Sequence, residues 1–293
     1  MIDPVIFSFE IGSLTITLRW YGVLVMLGVV VAGLAAEREL KRRGENTDHI
    51  WNALVWVLPI GIVGARLWYV ANTTLGGNPY YMDNPLQILN IPQGGLHFFG
   101  GLLFGAVALI VFLRRNSLDL WLFLDSIAPV TLIGQAVARP ANFINQELYG
   151  QPTTLPWGIP ISAEHRIPPY SDLSLYPEET TRFHPTFAYE MVWNFAAAGL
   201  LLWAVRRYPE KFKPGAVVGW WLVLAGVGRV LIEFFRPDQP VVPGTSFTYS
   251  ALVSALMAVA GLFMLLSRYG ILKKPSITWP EEYKVVGPAQ KAK

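Results

Sequence analysis

The chain has 293 residues, 53% of them hydrophobic and 15% charged, against the ~25% charged residues of a typical soluble domain. Cysteine is absent, which excludes disulfides, Cys-ligated metal sites and a thiol nucleophile within the chain. A net charge of +3 is too mild to imply a nucleic-acid partner.

The first 19 residues lack a basic stretch followed by an apolar one, so no cleavable signal peptide is expected. A helix needs about 20 apolar residues to cross a ~30 Å hydrocarbon core. Seven segments meet that need: 20–36, 52–71, 96–113, 120–137, 187–205, 216–235 and 249–267. Asp125, Pro129 and Gln135 interrupt the fourth, and Pro59 lies inside the second; proline is tolerated in membrane helices. The expected fold class is an all-α polytopic membrane protein. Its transmembrane domain covers 1–267, with an extracytoplasmic head at 138–186 built from turns and short strands. The tail, 268–293, reads as disordered. No internal repeat is visible.

Sixteen of the 23 lysines and arginines fall in 37–51, 114–119, 206–215 and the tail. The positive-inside rule puts these loops in the cytoplasm, with the N-terminus outside and the C-terminus inside. On that map several polar groups gather at outer-leaflet depth. They are Tyr21, Arg66, the stretch GGLHFFGG (94–101), Arg139, Asn142, Asn145, Glu147, the stretch HPTFAYE (184–190), Arg229 and Glu233. Ionisable groups inside spans cost about 2.5–3.5 kcal/mol each on insertion scales and usually face an interior cavity. One pocket rich in Arg and Glu, open to the outer leaflet, is the simplest reading.

Plainer readings stand beside it. Arg229 and Glu233 are four apart, share a helix face and can be a bracing ion pair. Arg66 can snorkel from a span end. The glycines at 94, 95, 100 and 101 can serve close helix packing or hold an anion on backbone N–H groups. His184 before Pro185 can be an ordinary helix-start residue. HExxH, GxxxxGK[ST] and GxSxG are all missing, which sets aside the common zinc-protease, nucleotide-hydrolysis and serine-hydrolase motifs. Arginines fork onto phosphate oxygens. The residues therefore support a phospholipid-binding or phospholipid-consuming membrane protein without identifying a reaction.

The stretch ARPANFINQELYG (138–150) resembles the signature of the prolipoprotein diacylglyceryl transferases, G-R-x-G-N-F-x-N-x-E-x-x-G, at six of its eight fixed positions. LRWYG (18–22), GARLWYV (64–70), GGLHFFGG, LPWGIPI (155–161), HPTFAYE and GRVLIEFFRPD (228–238) are similar to family segments and occur in the family's order. The resemblance implies transfer of a diacylglyceryl group from phosphatidylglycerol to the thiol of a lipobox cysteine in a preprolipoprotein signal peptide. Glycerol 1-phosphate leaves and a thioether forms, with no cofactor or metal. It implies a bacterial cytoplasmic membrane as the location and membrane lipids as surroundings; a monomer is expected.

Carried onto matching positions, the resemblance gives Arg139 and Arg229 the phosphate. Asn142 and Glu147 position the head group or Arg139, and Tyr21, Glu190 and Glu233 complete the polar wall. Gly150 closes the motif's turn. Asn145, Arg66, Gly100, Gly101 and His184 are further expected substrate-binding positions. Two departures stand out. Ala138 and Ala141 replace the signature glycines, so ordinary backbone geometry is expected there. Phe99 occupies the position where many members place His, proposed there as the thiol's base; His97 lies two residues earlier. In a helix two residues rotate about 200°, turning His97 away from the Phe99 position, whereas in extended chain both point the same way. His97 is the substitute base to be tested. A lipid translocase would instead need polar residues along a path through the bilayer and often related halves. Another phospholipid enzyme would use the head-group pocket without the peptide.

Overall fold

The computed structural model describes residues 2–12, 14–91, 94–236, 239–245, 247–272 and 279–287. In chain order the elements are β1 (Val5–Ile11), β2 (Leu14–Arg19), α1 (Trp20–Arg42), α2 (Asp48–Leu75) and the short α3 (Tyr80–Asp83). They continue with α4 (Phe98–Arg115), α5 (Leu120–Ala138), α6 (Pro140–Ile144), α7 (Thr186–Arg207), α8 (Ala216–Glu233) and α9 (Tyr249–Arg268). Among the described residues, seven helical segments are long and apolar enough to cross a membrane: α1, α2, α4, α5 with α6, α7, α8 and α9. The protein is an all-helical polytopic membrane protein, and its helices begin and end within a few residues of the hydropathy segments, apart from charged ends that extend α1 and α2. Pro59 and Pro129 sit inside continuous helices.

The residues before α1 form a hairpin. β1 and β2 pair antiparallel, with Ser8 opposite Thr17 and Glu10 opposite Thr15. VIFSFEI alternates apolar and other residues only in part, but the β-branched and aromatic content and Gly12, at φ +63°, fit a strand and its turn.

By internal packing the chain divides into two compact units. One comprises Met1–Ala36 with Leu124–Glu282, the other Glu37–Phe123 with Tyr283–Lys293. In the first, small residues set the helix contacts. A Cβ on Gly134 would lie 2.9 Å from Gly28 O, and one on Gly261 would lie 2.6 Å from Gly219 O, so α1 meets α5 and α8 meets α9 backbone to backbone. Asp125, fully buried on α5, accepts from the N–H groups of Gly215 at 2.5 Å and Val218 at 2.8 Å. The residue that interrupts the fourth span's hydropathy thus satisfies the orphan donors at the start of α8.

The head after α6 has its own core of Tyr149, Ile161, Tyr170 and Phe183. Bridges join Phe183 to Pro152 and Ile159, and a short 3₁₀ turn covers Ala163–His165. Buried Arg166 donates to Ile161 O at 2.8 Å and Tyr176 O at 2.6 Å, its guanidinium 5.1 Å from the Phe183 ring centre.

In the second unit α2 packs on α4. A Cβ on Gly64 would lie 2.8 Å from Gly100 O. Where the tail is described it is held by specific contacts. Within the first unit Trp279 donates to Ser267 and Arg268 to Pro280 O. Within the second, Lys284 N–H donates to Asp119 and Val286 N–H to Glu45. The tail residues 273–278 and 288–293 lie outside the described residues.

Candidate active site

The stretch 138–150 carries the centre of the site. Ala138 ends α5, Arg139 continues with φ −58°, and α6 follows from Pro140. Neither Ala138 nor Ala141 has positive φ, so alanine fits where the signature has glycine. The turn that closes the motif instead uses positive φ at Gln146 (+52°) and Leu148 (+55°). Non-glycine residues held there cost of order 1–3 kcal/mol and cluster at functional sites. Gly150 therefore has a different reason from the turn expected of it. Its N–H donates to His184 O at 2.8 Å, and a Cβ would lie 2.6 Å from Phe235 O and 2.8 Å from His184 Cβ. Close approach, not dihedral freedom, requires glycine.

This packing brings the start of α7 and the end of α8 beside the motif. The Arg139 guanidinium pairs with Glu190 on α7 and donates to Asn142 Oδ1 at 3.3 Å. Asn142 Nδ2 donates to Glu147 at 2.9 Å, and Asn145 Nδ2 to the same carboxylate oxygen at 3.3 Å. On α8, Arg229 pairs with Glu233 at 3.0 Å and donates to Ser250 Oγ at 3.0 Å. Glu233 accepts from Thr248 Oγ1 at 2.6 Å. The two arginines belong to one cluster: Arg229 lies within charge–charge reach of Arg236, Glu190, Glu233 and Arg139. With Glu147, joined to Arg139 through Asn142, these are three guanidiniums and three carboxylates in a half-buried place. Arg139 Nε and Arg229 Nη1 are buried without a hydrogen-bond partner among the described residues.

An aromatic wall adjoins the cluster. Trp157 Nε1 donates to Tyr189 Oη at 2.8 Å, and that hydroxyl lies 2.9 Å from His184 Nδ1. Phe235 packs on both rings, 5.0 Å from His184 and 5.6 Å from Tyr189. Burial pushes the His184 imidazole below its usual pKa, so it is neutral at pH 7. Tyr189, Trp157, Ser250 and Thr248 were not singled out in the sequence. The first two lie within motifs that were, while no local pattern marks the hydroxyls of Ser250 and Thr248. Tyr21, the second residue of α1, is 45% exposed and makes no hydrogen bond to the arginines among the described residues.

The remaining expected residues belong to the second unit. Arg66 is 5% exposed and does not snorkel. Its Nε donates to Ile88 O, its Nη1 to Gly94 O and Gly95 O, and its Nη2 to Gln87 O and Asn90 O. All five N–H donors are engaged by backbone carbonyls. Gly94 and Gly95, at φ +90° and +73°, turn their carbonyls toward it. Gly100 and Gly101 lie at close helix contacts. A Cβ on Gly100 would overlap Gly64 and Trp68, and one on Gly101 would touch Ala65 and Gly61 at 3.5 Å. His97 is extended (φ −109°, ψ 125°) just before α4, and its N–H donates to Ala65 O at 3.0 Å. Its ring lies 5.7 Å from Phe99 and 6.3 Å from Trp68, with Nδ1 buried and unpartnered. His97 is extended and Phe99 already helical, and the two rings are neighbours. No group of three or more His, Asp or Glu able to hold a metal occurs among the described residues.

Comparison with known proteins agrees on one family. A family model described as prolipoprotein diacylglyceryl transferase matches residues 4–267. A phosphatidylglycerol--prolipoprotein diacylglyceryl transferase of Chloroflexus aggregans is 40% identical over 244 residues, covering 81% of this chain and 78% of that protein. Relatives of the same name from Synechocystis sp. and Bifidobacterium longum are 34% and 33% identical, over 93% and 92% of this chain and 92% and 86% of theirs.

Proposed function

The chain belongs to the prolipoprotein diacylglyceryl transferase family, and from that premise we propose how its residues perform the transfer. Phosphatidylglycerol is the donor, and the thiol of a lipobox cysteine in a preprolipoprotein signal peptide is the acceptor. Sulfur loses its proton and bonds to the glycerol carbon that carries the phosphate. The C–O bond breaks, and its electron pair leaves on glycerol 1-phosphate. Charge is conserved when the thiol proton passes to the leaving phosphate.

Arg139 and Arg229 hold the phosphate and stabilise the charge that grows on it as the C–O bond lengthens. Donors fixed beforehand in a water-poor site do this without reorganisation. Glu190 and Glu233 fix the two guanidiniums, and Asn142 with Glu147 sets the Arg139 fork. Asn145 supports that carboxylate, and His184 forms part of the wall beside the head group. Tyr21 lines the approach of the lipid. The single observation that carries the reading is the paired cluster itself. Two guanidiniums in charge reach of one another each keep a buried donor without a partner among the described residues, which suits an anionic phosphate oxygen.

The test mixes purified protein, phosphatidylglycerol and a lipobox peptide, and follows the diacylglyceryl mass increase on the peptide. A Cys-to-Ser peptide is the control. Arg139→Ala and Arg229→Ala should each lower the rate about 10²- to 10³-fold or more at matched expression. Wild-type rates in either would remove that arginine from the mechanism.

A further inference from the structure

The second unit contains a feature that the transfer does not use, and its interpretation does not rest on the transferase reading. We propose that α2 and α4 form a binding groove for one anionic phospholipid. The two helices meet at glycines over part of their length. A Cβ on Gly61 would meet Gly101 O at 3.4 Å, and one on Gly105 would meet Val57 at 3.6 Å. Beyond Ile60 the glycines give way to Val55 and Trp56 on α2 and Val107 and Val111 on α4. These four side chains are exposed and wall a groove of about 660 Å³ on the surface of the helix pair.

Its size and lining fit one occupant. Asn52 to Ile60 spans about 12 Å of helix, close to the ~15 Å of one leaflet's hydrocarbon. The walls are apolar along that length. Asn52, Arg115 and Asn116 close one end, where an acyl chain in the groove would place its head group. Arg115 is exposed and has no ion pair or hydrogen bond from its guanidinium among the described residues. No carboxylate lines the groove. A zwitterionic lipid would bring its own cation beside Arg115, whereas a lipid with a net negative head group leaves the guanidinium its phosphate unopposed. A basic end on an apolar cleft between membrane helices is the usual form of an anionic-lipid site.

The absence of cysteine makes a site-specific test available. Val55→Cys, labelled with a fluorophore, places one probe on the groove wall of the full-length protein in lipid nanodiscs. Quenching by acyl-brominated phosphatidylglycerol in a phosphatidylcholine background is compared with the reverse mixture. Phosphatidylglycerol should win at the probe by about tenfold, the worth of one charge-assisted hydrogen bond. Arg115→Glu should bring the two lipids to parity, and Arg114→Glu, one residue away but outside the groove, should not. Retained peptide transfer certifies that each variant is folded; Arg115→Gln serves if Arg115→Glu is not. Parity in the otherwise wild-type protein overturns the proposal. So does a preference that survives loss of Arg115, or one lost equally at Arg114, which would report general surface charge.

Discussion

Arg139 and Arg229 hold their charge in different ways. Arg139 is fixed from across the fold by Glu190, 51 residues away, whereas Arg229 is held by Glu233 one helical turn on. Arg139→Lys keeps the charge and loses the fork, so it should retain lipid binding better than turnover; steady-state kinetics with varied phosphatidylglycerol would report a fall mainly in kcat. His184 gives a pH prediction outside the spans. Its pKa is lowered by burial, so its contribution to stability is complete above the unfolded value, about 6.5, and is lost as pH falls through the folded value. The melting temperature in detergent should decline below that pH in wild type, and His184→Gln should flatten the decline. Gly150→Ala should cost about 1–3 kcal/mol of stability through overpacking, read by the same thermal assay. The sequence marks Gly150 as special, but only the neighbouring Phe235 and His184 reveal that the constraint is space.

At the scale of elements, hydropathy located the seven helices because each is a local sum over about 20 residues. The N-terminal hairpin escaped that reading: its strands are short, and their pairing lies outside a hydropathy window. Asp125 shows how one residue can read as an interruption and act as a junction. It lies 90 residues before the N–H of Gly215 that it accepts from. Asp125→Ala should cost about 1–2 kcal/mol, the loss of a helix cap, measured as a drop in thermal or denaturant stability. Asp125→Asn should recover part of it, because its carbonyl still accepts. Gly64→Ala should weaken the α2–α4 contact, since the new methyl would strike Phe104 and Gly100 O.

Over the whole molecule, sidedness follows from charge. The basic loops should face the cytoplasm and the head the exterior. In this cysteine-free chain, Asp172→Cys should react with a membrane-impermeant maleimide on intact spheroplasts. Asn116→Cys should react only after lysis, and the reverse pattern would invert the topology. Composition and hydropathy by themselves determined the membrane class, the number of spans and their approximate limits, because burial in lipid is a bulk property of a segment. The family motifs pointed to the arginine cluster. Only the tertiary structure decided which arginines keep donors for a ligand. Arg139 and Arg229 retain them, while Arg66, of the same residue type, gives all of its donors to carbonyls 21 to 29 residues away. A hydrogen bond depends on where both of its atoms end up, and a local reading of the chain contains only one of them.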